Sequence, residues 1–292
     1  MSSPEQRHKY EYQVDPAADT APARVVRMVG AGKHVLEIGS GPGSITRLLK
    51  EVNQCRITAL EIDLEAIEKV RPYCEAVHQA DLNDPSWPAL LSATRFEVVI
   101  AADVLEHLYH PLAALTAMKN LVRQGGCIVV SLPHVSHAAI VACLLDEDFE
   151  YRDWGLLDRT HIRFFGIKNM QSLFTQAGLK IIEAEFVIRH PDATEFAQRW
   201  SGMSELAKTA ALANPFALVY QVVIKAVPLE AEGEALSLVD QIAGSPPDNS
   251  GAQPSGATTG WLPYMRRQAR HHLNPETRAA LRRLLARLGV SV

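Results

Sequence analysis

Three glycines at alternating positions, Gly39, Gly41 and Gly43, stand directly after the run Val35-Leu36-Glu37-Ile38. Glycine lets a backbone turn sharply and come close to a ligand, so main-chain amides can receive polar groups with no side chain in the way. The pattern is that of a nucleotide cradle. Its spacing departs from the dinucleotide fingerprint, which places glycines first, third and sixth; here the sixth position is Ser44 and the fifth is Gly43. That weakens a nicotinamide dinucleotide as the ligand. Glu37, an acid inside an otherwise apolar run, adds an acceptor suited to a ligand that carries an ammonium group.

Other chemistry-bearing residues fall at the ends of predicted elements. Residues 44–52 read as a helix, and 56–60 as a strand ending in Glu61, about 20 residues past the loop, where a carboxylate can meet ribose hydroxyls. A second helix over 64–73 leads to a strand from residue 76 that ends in Asp81, an acceptor for an adenine amino group. Residues 96–102 are almost wholly apolar, the pattern of a parallel strand buried on both faces. Asp103 to Leu108 then open the next helix, putting Asp103, Glu106 and His107 on one face at i, i+3 and i+4. With a further histidine, that set has the makings of a divalent-cation site. The reading adopted carries no metal.

These segments, VLEIGSGPG, ITALEID, HQADLND and FEVVIAADVLEHL, in this order, resemble the class I S-adenosylmethionine-dependent methyltransferases. The resemblance covers about residues 30–228. It implies an α/β fold, a doubly wound, seven-stranded, mostly parallel Rossmann-like sheet with an antiparallel last strand. By the family motif, Glu37, Gly39, Gly41 and Gly43 hold the methionine part of the cofactor, Glu61 the ribose, and Asp81 and Leu82 the adenine, with Ile62 also among the cofactor-binding residues. Ala102 and Asp103 border the transferable methyl. The product would be S-adenosylhomocysteine. The chain beyond residue 102 agrees, with a fifth strand over 127–132, a helix over 167–177 stopped by Gly178, and strand-like runs at 180–188 and 218–227. The last two make a hairpin interrupted by a polar, helix-like insert, residues 188–217.

Methyl transfer is an in-line displacement, so a hydroxyl acceptor must be held close, kept dry and relieved of its proton. In open α/β sheets the ligand lies beyond the carboxyl ends of the strands. Histidines gather there: His134 and His137 follow Ser131-Leu132-Pro133, and His161 lies in Leu157-Asp158-Arg159-Thr160-His161-Ile162-Arg163-Phe164-Phe165. The unperturbed imidazole pKa, near 6.5, suits it to proton transfer at neutral pH. Residues 133–165 resemble methyltransferases found with glycosyltransferases in bacterial surface-glycan pathways. That implies a sugar, glycan or other small-molecule hydroxyl as acceptor, with His161 in the active-site wall and His137 nearby. The alternative for His161 is a hydrogen-bonding role with Asp158, holding an irregular segment to the sheet; for His134 and His137 it is helix capping. Alternative functions are N-methylation of an amino sugar or small amine, a non-catalytic cofactor-binding protein, and an NAD-dependent sugar-modifying enzyme.

Composition bounds the rest. With 292 residues, 47% of them hydrophobic, the chain can bury the core of one substantial domain. The four cysteines, Cys55, Cys74, Cys127 and Cys143, lack metal-type spacing and read as reduced thiols. No leader-like or membrane-spanning run is legible, so a cytoplasmic protein is expected. A net charge of −4 gives no reason to bind nucleic acid. The expected organisation is an N-terminal arm or cap over 1–29, with Tyr10 and Tyr12 as lid or surface arm, the methyltransferase domain over 30–228, and over 229–260 an acidic segment, moderately helical at 230–240, followed by a flexible linker. A basic amphipathic helical tail, 261–292, is expected to dock on its own domain or on a sister subunit in a homo-oligomer, with a partner protein or an anionic membrane surface as the alternatives.

Overall fold

Apolar residues run almost without interruption along the central strands, and because successive side chains point to opposite faces the sheet must be covered on both. The computed structural model describes residues 10–91 and 94–241. Seven strands form one sheet: β1 (His34–Ile38), β2 (Arg56–Glu61), β3 (Ala76–Gln79), β4 (Phe96–Ala102), β5 (Val122–Pro133), β6 (Leu179–Ile188) and β7 (Val219–Pro228). Their order is β3-β2-β1-β4-β5-β7-β6, with β7 antiparallel to both neighbours and the pairings from β3 to β5 parallel. This is the expected doubly wound fold.

Two helices, α1 (Ala21–Val29) and α2 (Ser44–Glu51), lie on one face, where Val25, Val29 and Leu49 meet Val35, Ile57, Val98 and Val129. On the other, α4 (Pro111–Leu121) and α6 (Ile167–Gln176) set Leu115, Met118, Met170 and Phe174 against Leu36, Val99, Ile128 and Ile224. Between them in sequence come α3 (Leu64–Val70), capped by the Asp63 carboxylate, and α5 (Ala138–Leu145). The insert between β6 and β7 carries α7 (Ala197–Gly202) and α8 (Glu205–Leu212), as its polar, helix-like sequence suggested. Side chains such as Leu115 and Met118 are fully buried, each contributing about 1.5–3 kcal/mol of transfer free energy.

Register brings the ends of the strands level. Ile38 stands opposite Leu60 of β2 and Ala101 of β4, so Gly39, Glu61 and Ala102 emerge side by side at one sheet edge. Chain order reverses between β2-β1 and β4, and that switch point opens a crevice.

Four expectations are corrected. Residues 103–108 do not open a helix: Asp103 has φ 53, outside the helical region, Leu105–His107 make a single 3-10 turn, and α4 starts at Pro111. The helix expected over 64–73 tightens into a 3-10 turn at Arg71–Tyr73, where Pro72 removes an amide. The fifth strand begins at Val122, five residues early, because Gly126 leaves room for its partner strand: a Cβ there would lie 2.6 Å from the Glu97 carbonyl oxygen. Finally, the acidic residues 230–240 are turns and extended chain, drawn onto the core by fully buried Leu238 and by the Leu236 amide donating to the Ile181 carbonyl. The basic tail and the linker before it lie outside the described residues.

Candidate active site

At the switch point the chain encloses a cavity of about 780 Å³. Gly39 turns at φ 67 and its amide donates to the Leu60 carbonyl, 2.8 Å away, which folds the loop across β2. No side chain fits there: a Cβ on Gly39 would meet Val104 Cγ2 at 2.7 Å. Gly43 has φ 92 and starts α2, with Val70 behind it. Gly41, at φ 53, donates its amide to Glu61 Oε2 at 2.7 Å, while Glu61 Oε1 accepts from the amides of Ile62 (2.8 Å) and Asp63 (3.0 Å). A carboxylate has about four acceptor sites, so Glu61 stitches the glycine loop to the end of β2 with about one site left for a ligand.

Glu37 is buried under this loop, and its Oε2 has no hydrogen-bond partner among the described residues. Burial, with Glu61 nearby, raises its pKa from the ordinary carboxylate value to about 7. Asp81 accepts from the Asn83 amide at 2.9 Å, forming a tight turn at the cavity rim; Ile62, Leu82 and Ala102 also line the cavity. Asp103 is held in its left-handed conformation by two donors, Ser131 Oγ on Oδ1 and Gln221 Nε2 on Oδ2, each at 2.8 Å. Desolvation raises its pKa.

The opposite wall comes from the irregular segment after α5. The Ile162 and Arg163 amides both donate to the Glu106 backbone carbonyl at 2.9 Å, which ties this segment to the turn after β4. His161 Nδ1 lies 3.2 Å from the Leu156 carbonyl; a carbonyl only accepts, so Nδ1 carries the hydrogen and Nε2 the lone pair. Nε2 is 3.9 Å from Glu106 Oε1. Glu106 is fully buried, neither of its carboxyl oxygens has a hydrogen-bond partner among the described residues, and burial pushes its pKa well above the carboxylate range. The His107 ring packs edge-on to that of His161 at 4.8 Å, and its Nδ1 bonds the Thr160 carbonyl. Glu106, His107 and His161 offer ligand atoms within 4.8 Å of one another, a donor set able to hold a divalent cation.

Two of the three singled-out histidines are elsewhere. His134 is buried with Nδ1 on the Val219 carbonyl, and neither it nor His137 lines the cavity. His137 caps α5, its Nδ1 accepting from the Ala139 amide and its Nε2 donating to the Arg189 carbonyl at 2.8 Å; burial lowers its pKa to about 4, so it stays neutral. The N-terminal tyrosines do reach the cavity. The Tyr12 amide donates to Ser44 Oγ, and the Tyr10 hydroxyl lies 3.4 Å from Asp158 Oδ2, so this arm spans both walls. Tyr220 and Gln221, from β7, also line the site and were not singled out. Their one sequence signal is a pair of polar-tipped residues in an apolar strand.

A family model described as a methyltransferase domain matches residues 8–184, more than half the chain. The chain belongs to the methyltransferase domain family. It is an S-adenosylmethionine-dependent methyltransferase. The site fits that donor: Glu37 presents a buried, unpaired carboxyl oxygen where an ammonium would neutralise it, beside a glycine loop that a Cβ would fill. This methyltransferase is 26% identical over 179 residues to the Ubiquinone biosynthesis O-methyltransferase of Dinoroseobacter shibae, covering 58% of this chain and 67% of the relative. It is 27% identical over 159 residues to the enzyme of the same name from Aromatoleum aromaticum, covering 52% and 66%. The chain thus spans about two thirds of the length of these curated relatives. In fold it is similar to a SAM dependent methyltransferase from Archaeoglobus fulgidus, with TM-score 0.50 and 16% identity over 70% of this chain and 91% of that one. Among the described residues no helix is long and apolar enough to cross a membrane.

Proposed function

We propose that this methyltransferase O-methylates a small-molecule hydroxyl, with His161 as the general base. When bound, S-adenosylmethionine supplies a methyl group on a positively charged sulfur, open to attack from the side opposite the sulfur. The chain's residues do the remainder. Glu37 and the amides of the glycine loop hold the methionine end, Glu61 the ribose and Asp81 the adenine. Asp103, clamped by Ser131 and Gln221, borders the reacting end. Tyr10 and Tyr12 close the arm over the cavity and exclude water. His161 Nε2 takes the hydroxyl proton as the oxygen attacks, and the Glu106 carboxyl beside it offers an acceptor oxygen to the imidazolium that results.

The observation that carries this reading is the buried His161–Glu106 pair on the cavity wall, with Nδ1 anchored so that Nε2 is the basic nitrogen. An amine acceptor would need orientation but no base. The names of the relatives, which specify O-methylation, support the hydroxyl reading; sugar or glycan hydroxyls remain one class of acceptor within it. A panel of sugar and non-sugar hydroxyls and amines with labelled methyl donor tests it: label should appear on an oxygen, and label confined to amines would overturn the proposal. His161→Ala should lower kcat by about a hundredfold to ten-thousandfold while leaving S-adenosylhomocysteine binding within about twofold.

The Glu106–His107–His161 donor set favours one second reading, in which a divalent cation lowers the acceptor pKa. Turnover that survives exhaustive chelation rules it out.

A further inference from the structure

Outside the cofactor cradle and the histidine wall, the best-built polar feature near the cavity is the carboxylate of Glu195, contributed by the insert. Its Oε1 accepts from the Leu156 amide at 2.7 Å, and both oxygens accept from the Tyr220 hydroxyl, at 3.2 and 3.0 Å. The approach to Leu156 is close enough to require a glycine before it. Gly155 has φ 89, and a Cβ there would sit 2.1 Å from Glu195 Oε1. Only glycine meets both demands.

Leu156 is the residue whose carbonyl receives His161 Nδ1–H. Its amide and its carbonyl flank one Cα, so the carboxylate that holds the first also restrains the second. The other end of the clamp, Tyr220, is 5% exposed and lines the cavity beside Gln221, the donor that holds Asp103. Arg189 lies over the Tyr220 ring, 4.1 Å from its centroid, and supports it from behind.

We infer that Glu195 is a positioning residue for the methyl-transfer reaction, acting through Leu156 to aim His161 and through Tyr220 to shape the acceptor side of the cavity. This rests on His161 being the base. Glu195 does not line the cavity, and its effect is geometric: a displacement of about 1 Å at a reacting group can cost about a hundredfold in rate.

The test is a double-mutant cycle with His161. Glu195→Leu, which cannot accept from the Leu156 amide, should lower kcat by about tenfold to a hundredfold, with S-adenosylhomocysteine affinity and donor KM within about twofold of the parent. Glu195→Gln keeps an acceptor oxygen and should recover most of the loss. In the His161→Ala background, Glu195→Leu should cost less than about twofold of the residual rate. Should the leucine variant not fold, Glu195→Asp, one methylene shorter, carries the same comparison. An unchanged kcat in Glu195→Leu, a glutamine variant no better than leucine, or an equal loss with and without His161 would each overturn the inference. A His161→Ala enzyme with full turnover would sink the base assignment instead, and is read before the cycle is interpreted.

Discussion

Glu106 and His161 face each other across 3.9 Å, with side chains 0% and 7% exposed, on two segments joined by the Ile162 and Arg163 amides donating to the Glu106 carbonyl, by His107 Nδ1 at the Thr160 carbonyl and by the Arg163 guanidinium donating to the Tyr109 carbonyl. A carboxyl buried without hydrogen-bond partners is costly to ionise, and a positive charge arising on His161, as the proposed base role requires, would lower that cost.

Glu106→Gln keeps the shape and removes the ionisation. An acid whose folded pKa is raised destabilises the protein as pH climbs above the unfolded value near 4.5, because the unfolded chain ionises more readily. The variant should therefore melt no lower than the parent at pH 8, while kcat falls by about tenfold or more. A drop in melting temperature with intact kcat would place Glu106 in the scaffold.

Cofactor affinity should follow the Glu37 carboxyl. Its pKa of about 7 means that the ionised form, which pairs with an ammonium, grows in as pH rises from 6 to 8. Calorimetry with S-adenosylhomocysteine should show affinity rising over that range and levelling above it, and Glu37→Gln should abolish the dependence and weaken binding by about tenfold or more. The same substitution should stabilise the ligand-free protein at pH 8, where the buried charge is otherwise present.

Gly39→Ala adds a methyl where Val104 Cγ2 already stands and forces φ 67 on a residue with a side chain. A loss of about 1–3 kcal/mol in stability is expected. Val104→Ala in the same chain relieves the clash but leaves the backbone strain, so denaturant melts should show partial recovery.

The two remaining histidines separate structure from chemistry. His137→Ala should lower stability by about 1 kcal/mol through loss of the α5 cap and leave kcat near the parent value. Loss of turnover in a His137 variant whose melting curve is unaltered would assign it a part in the reaction that its hydrogen bonds do not suggest.

Much of the site was legible because it is local. Gly39, Gly41, Gly43 and Glu37 belong to one strand-turn-helix unit, and Glu61 and Asp81 end the next two strands, so regular crossovers bring them to one edge whatever else the chain does. The wall facing them was not. Asp103, Glu106 and His107 have helical spacing, yet Asp103 is pulled into the left-handed region by Gln221, a residue 118 positions away. Glu106 was one of three spaced side chains in sequence; its solitude in the core is a fact of packing. His134, His137 and His161 were alike as residue types near strand ends, and only the carbonyls of Val219, Arg189 and Leu156 distinguish two anchored supports from the one that faces the cavity.

The amino-acid order alone therefore determined the sheet, the cradle and the class of ligand, since each follows from periodicity and from glycines within a few residues of one another. Tertiary structure decided which acid is buried unpaired, which imidazole faces the cavity, and that β7 lines it. Those outcomes depend on hydrogen-bond partners and desolvation supplied by segments up to 118 residues distant, and no local pattern encodes them.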